Sequence, residues 1–127
     1  SDLPDVTPAL ASGVLTITSY GPGRFQIGDQ RLEGAIILTP GWVEPWPKAL
    51  ESITANALEQ ACSTLPDECE LVFVGLGQMP LMIDEGWRAP FRARGLAVDF
   101  MITRAAAHAY NITLAEGRPV AAFLRPI

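Results

Sequence analysis

The stretch from Leu96 to Leu124, LAVDFMITRAAAHAYNITLAEGRPVAAFL, decides the fold. Leu96 to Met101 reads as a strand, and Thr103 opens a helix that runs to Glu116 before Gly117 ends it. Val120 to Leu124 is a short apolar run and reads as the closing strand. Working back from this unit, Leu71 to Val74 is a buried strand ended by Gly75-Leu76-Gly77. A helix from about Asp84 to Arg94 stops at Gly95, and Pro90 within it must kink or shorten it, because proline lacks an N–H and clashes with the preceding turn. The order strand, helix, strand, helix, strand argues for an α/β layer with a mainly parallel sheet.

The first half of the chain has a different character. Val14 to Ser19 alternates in a β-favouring pattern, and Tyr20-Gly21-Pro22-Gly23 breaks it as turn chemistry does. Phe25 to Ile27 and Gln30 to Leu32 flank Gly28-Asp29, a pair suited to a tight hairpin because glycine tolerates positive φ. Ala35 to Leu38 is continuously apolar, as in a strand covered on both faces. Ile53, Ala57, Leu58, Ala61, Cys62 and Leu65 then recur at helical spacing, with Thr54 placed to cap the start and Pro66 past the end. The fold class expected is α/β: a three-layer single domain over residues 14–127, with a mixed, mainly parallel central sheet and an N-terminal antiparallel hairpin layer. Ser1 to Gly13, rich in proline and alanine, reads as a loosely attached lead-in.

Composition sets the function classes aside in turn. The 127 residues are 49% hydrophobic, enough for an ordinary core without metals or staples. A formal net charge of −5 offers no attraction to phosphate backbones, so nucleic acid is not an expected partner. No apolar run approaches the roughly 20 residues that cross a bilayer, and Ser1 to Pro8 carries acids and prolines where a signal peptide needs a basic head and an apolar run. The expected setting is the bacterial cytoplasm, or a matrix-like compartment for a mitochondrial protein. Cys62 and Cys69 flank a turn-like stretch that a disulfide could span, but in such a setting they are expected as free thiols packed like small apolar groups.

The segment Met101-Ile102-Thr103-Arg104-Ala105-Ala106-Ala107-His108-Ala109-Tyr110-Asn111, followed by Glu116-Gly117-Arg118-Pro119-Val120-Ala121-Ala122, resembles a known family pattern: Met-Asp-Thr, two alanines, Cys-Arg-Thr-Tyr-Asn, then Glu-Gly-Arg and an alanine-rich strand. Tyr20-Gly21-Pro22-Gly23 with Phe25, Trp46, Gly75-Leu76-Gly77 and Arg94-Gly95 match in the same order. The family is that of mitochondrial respiratory complex I assembly factor 3 and related bacterial proteins. The resemblance implies a three-layer α/β domain and, by analogy with the mitochondrial members, a role near a membrane complex. Four positions depart from the pattern: Ile102, Ala107, His108 and Ala109 stand where the family has Asp, Cys, Arg and Thr.

The residues themselves point to two candidate surfaces. Arg104, His108 and Asn111 are spaced by four and three, so they project from one face of the closing helix, with Ala105, Ala106, Ala109 and Ile112 expected toward the sheet. The start of that helix, with Thr103, lies at the same sheet edge as Gly75 and Gly77, where α/β sheets bind ligands and free N–H groups favour anions. Gly75, Gly77, Thr103, Arg104, His108 and Asn111 are therefore the candidate ligand-binding set. The bland account is an exposed helix face and a glycine turn. The second surface is apolar: Trp42 and Trp46 sit among prolines, and Met79 and Met82 lie in a loop after the glycine turn, where large apolar groups fold back or meet a partner.

No catalytic residues are assigned. The glycine turn lacks the third glycine of a dinucleotide fingerprint and no P-loop lysine follows it, and a single histidine excludes histidine-rich metal sites, so no cofactor or metal is expected. Asp84 and Glu85 sit at a helix start, where acids complement the dipole. The expected function is that of a non-catalytic interaction or assembly-factor-like protein with a protein partner, peripheral to a membrane complex. The alternative is a binder of small molecules or anions, or an enzyme, at the edge near Gly77 and Asn111.

Overall fold

The computed structural model describes residues 14–49, 52–79 and 82–127, so the lead-in assigned to residues 1–13 lies outside the described residues. In chain order these form β1 (Ile17–Gly21), β2 (Arg24–Ile27), β3 (Gln30–Glu33), β4 (Ile36–Leu38), β5 (Val43–Pro45), α1 (Ala55–Cys62), β6 (Leu71–Gly75), α2 (Ala89–Ala93), β7 (Ala97–Met101), α3 (Thr103–Ala115) and β8 (Val120–Leu124). The first three strands are an antiparallel meander. Its turns are made by Gly23 and Gly28, at φ 72° and 56°, conformations that cost a side-chain-bearing residue dearly. The first strand is displaced from its expected limits. Tyr20 and Gly21 pair with Phe25 and Arg24, leaving only Pro22-Gly23 as the turn, while the Leu15 N–H is drawn off to the Pro40 carbonyl at 2.9 Å.

The remaining strands form one sheet in the order β5-β4-β8-β6-β7, in which the three expected strands β6, β7 and β8 lie side by side and parallel. β4 runs against β8, and β5 against β4, so four strands share one direction and β4 opposes them. All five residues of β8 are buried, as a strand with neighbours on both edges and cover on both faces requires. Alternation then divides its side chains: Ala121 and Phe123 enter the core shared with α1 and α2, whereas Val120, Ala122 and Leu124 enter the core shared with α3 and the meander. The sheet is thus the middle of three layers. β5 was not expected, since residues 40–47 read as proline-rich loop. It is a three-residue edge, the one place in a sheet where Pro45 needs no hydrogen-bonding partner.

Each helix has a local cause. The Thr54 hydroxyl accepts the Ala57 N–H at 3.0 Å and starts α1, which buries Ala57, Leu58, Ala61 and Cys62 at helical spacing. The helix expected from Asp84 to Arg94 is split into a 3₁₀ turn, Glu85–Arg88, and the short α2, with Pro90 in the first turn of α2, where its missing N–H costs nothing. α3 buries Thr103, Ala106, Ala107, Tyr110, Thr113 and Leu114. That corrects the expected facing: Ala105 and Ile112 are exposed and Ala109 is only partly covered, because alanines fit either side and the bulky Tyr110 and Leu114 set the rotation. No described helix is long and apolar enough to cross a membrane.

Phe123 ties the layers together, with its ring 5.4 Å from Trp46 and 5.9 Å from Phe91 between centroids. Phe123→Ala is expected to destabilise the fold by about 3–5 kcal/mol, read from urea denaturation, while His108→Ala on the exposed side of α3 shifts it by less than about 0.5 kcal/mol.

Candidate functional site

At the C-terminal ends of β6 and β7 the glycine turn meets the start of α3. The Thr103 hydroxyl accepts the Gly77 N–H at 2.9 Å and donates to the Arg125 carbonyl at 2.7 Å, while the Thr103 N–H donates to the Gly77 carbonyl at 2.9 Å. A Cβ on Gly75 would stand 2.8 Å from the Thr103 Cα, so only glycine permits this approach, and Gly77 has φ 105°. Gly75, Gly77 and Thr103 are therefore brought together as a buried clasp between strand ends. Beside the clasp is a shallow cleft of about 180 Å³, with Arg104 and Gln78 on its lip.

The rest of the expected ligand set diverges from that point. His108 is exposed one turn further along α3. Asn111, about 12 Å along the axis from Thr103 at 1.5 Å per residue, grips β1 instead: its Nδ2 donates to the Ile17 carbonyl at 2.8 Å and its Oδ1 accepts the Ile17 N–H at 3.0 Å. Tyr110 next to it donates its hydroxyl to the Leu15 carbonyl at 3.0 Å, and burial holds its pKa well above the ordinary phenol range. Of the expected polar stripe on α3, Asn111 alone thus holds the meander, with Tyr110 beside it.

The apolar set also divides. Trp46, 4% exposed, is packed in the core against Phe123, with its indole N–H finding no acceptor among the described residues. Met79 and Met82 are 70% and 93% exposed. Trp42 is partly buried and lines a groove of about 330 Å³ at the opposite end of the sheet, where segments 39–42, 66–69 and 119–120 converge. Sequence reasoning missed this groove as a groove, since its walls come from three separate segments; Trp42 among its prolines and the prolines ahead of β6 and β8 were its local traces.

Cys62 and Cys69 are free, as expected. Burial pushes the Cys62 thiol up to about 12 and also raises Cys69, so neither is a ready nucleophile near neutral pH.

The described residues thus form a mixed-sheet α/β domain whose central polar side chains serve its own backbone. The chain belongs to the DUF498/DUF598 family of proteins of unknown function, whose pattern matches residues 17–125. It is similar to an uncharacterized protein of Rhodobacter capsulatus, 30% identical over 116 residues that span 91% of this chain and 88% of that one. The crystal structure of a Bordetella parapertussis protein superimposes with a TM-score of 0.80 at 36% identity, covering 92% of this chain and 99% of the other. The solution structure of a Bordetella pertussis protein, an Mth938-like domain, gives a TM-score of 0.76 at 30% identity, covering 91% and 88%.

Two outcomes test these assignments. Asn111→Ala removes both bonds to Ile17 and is expected to cost about 1–3 kcal/mol of stability, with amide exchange accelerating selectively in β1. For Cys62, a folded-state pKa raised from 9.0 to about 12 means that the unfolded chain loses its proton first. Its contribution is whole below pH 9 and is lost as pH rises through that window. The alkaline decline in stability, measured by urea denaturation, is expected to be shallower in Cys62→Ala.

Proposed function

We propose that this protein is a non-catalytic interaction domain that engages a partner protein through the segment bearing Met79 and Met82, in the manner of an assembly factor. The carrying observation is the exposure of those two methionines, 70% and 93%, while among the other large apolar groups described only Ile112 is likewise exposed. Unbranched thioether side chains suit adaptable apolar contacts, and single anchors of this kind can dominate an interface. The alternative reading as a ligand-binding or catalytic site at Gly77 and Asn111 is weaker, because Thr103 and Asn111 spend their polar atoms on backbone groups. The resemblance to the complex I assembly factor family supports a respiratory membrane complex as the assembly served, approached from outside the bilayer.

The test compares the native chain with Met79→Ser, Met82→Ser, both tagged, in capture from source-cell membranes and extract followed by identification of what is retained. The variant is expected to keep its melting temperature and to lose roughly tenfold or more of its partner, the equivalent of an anchor worth at least about 1.4 kcal/mol. Equal capture by two equally stable proteins excludes the segment as the interface. A fall in melting temperature with no selective loss of partner assigns the methionines to packing.

A further inference from the structure

The groove beside Trp42 lies at the far end of the sheet from Met79 and plays no part in the function proposed above. Its volume of about 330 Å³ falls within the roughly 300–1,000 Å³ that small-molecule sites occupy. The rings of Pro40, Pro66 and Pro119 and the Trp42 indole make its wall mainly apolar.

The polar groups narrow the guest further. The Thr39 hydroxyl is already saturated, accepting the N–H groups of Gly41 and Trp42 at 3.3 and 3.1 Å and donating to the Trp42 carbonyl at 3.2 Å. The Cys69 sulfhydryl donates to the Leu71 carbonyl at 3.6 Å, and its burial keeps it a neutral thiol. What remains is Glu68, an exposed carboxylate at the rim with no ion pair among the described residues. No lysine, arginine or histidine is among the described residues that line the groove. An anionic guest would meet a carboxylate and no cation. A guest with an apolar body and a positive charge would meet proline and indole surface for the body, and a carboxylate for the charge.

We propose that the groove between Trp42 and Pro119 binds a small organic ammonium ion, with its apolar part against the proline rings and the indole and its charge toward Glu68.

The experiment titrates 2-phenylethylammonium into the full ¹⁵N-labelled chain, with 2-phenylethanol and 3-phenylpropionate as neutral and anionic counterparts of similar shape. The indole N–H resonances are followed, with that of Trp42 assigned through Trp42→Phe. The ammonium ion is expected to give a saturable shift at Trp42 while Trp46 and Trp87 stay in place, and the alcohol to bind roughly threefold more weakly, as loss of an exposed charge pair predicts. Glu68→Gln, an exposed and conservative change, is expected to keep the melting temperature and lower affinity for the ammonium ion to that of the alcohol. Absence of a saturable shift, a response centred on Trp87, phenylpropionate binding as tightly as the ammonium ion, or unchanged affinity in Glu68→Gln would each overturn the proposal. None of these outcomes bears on the Met79 and Met82 surface, which carries a separate test.

Discussion

A strand buried on both faces and both edges must find a partner for every backbone N–H and C=O it carries, because water cannot reach them. β8 is under that constraint. It satisfies one edge by pairing parallel with β6 and the other by pairing antiparallel with β4, so the α/β half of the chain and the N-terminal half are joined through one strand. The small side chains of Ala121 and Ala122 leave room for layers on both faces, and Phe123 fills the space against Trp46 and Phe91. Both hydrophobic cores therefore share β8.

The clasp at Thr103 follows from the same arrangement. Where β6, β7 and β8 end together, the chain leaving each one has carbonyl and N–H groups that no longer face a ladder partner. A single hydroxyl serves two of them, accepting from Gly77 and donating to Arg125, while the Arg125 N–H reaches the Gly75 carbonyl. The edge at which α/β sheets often hold ligands is thus closed by the protein's own backbone, and the larger hollow opens at the other end of the strands, near Trp42. The same economy governs α3, where Tyr110 and Asn111 spend their polar atoms on Leu15 and Ile17.

The parallel strands were legible because each is a mainly apolar run, broken only by Asp99 in β7, with glycine or proline at an end, and α1 was legible from its cap and its apolar periodicity. β5 was not, since its three residues are partly or fully exposed and only pairing with β4 makes them a strand. The rotation of α3 escaped because five of its residues are alanine and carry little facing information, so tertiary packing of Tyr110 and Leu114 decided it. For the site, the meeting of Gly75, Gly77 and Thr103 was foreseeable from strand order. The diversion of Asn111 to β1 was not, because nothing near Asn111 in sequence announces a partner 94 positions away. Trp46 shows a related limit: flanking prolines suggest a loop, yet the ring folds back onto Phe123.

The pairing of β4 with β8 also has a consequence for how the molecule comes into being. Ile36 meets Leu124 and Leu38 meets Ala122, and the Leu15 carbonyl waits for the Tyr110 hydroxyl. During synthesis the meander can form early from neighbouring residues, but its apolar underside and the inner edge of β4 have no cover until the last strand has emerged. Contacts between such distant positions close large loops and come late in folding. The nascent chain therefore carries an exposed apolar strand edge from the emergence of β4 until that of β8, the kind of surface that chaperones shield and that aggregates when they do not.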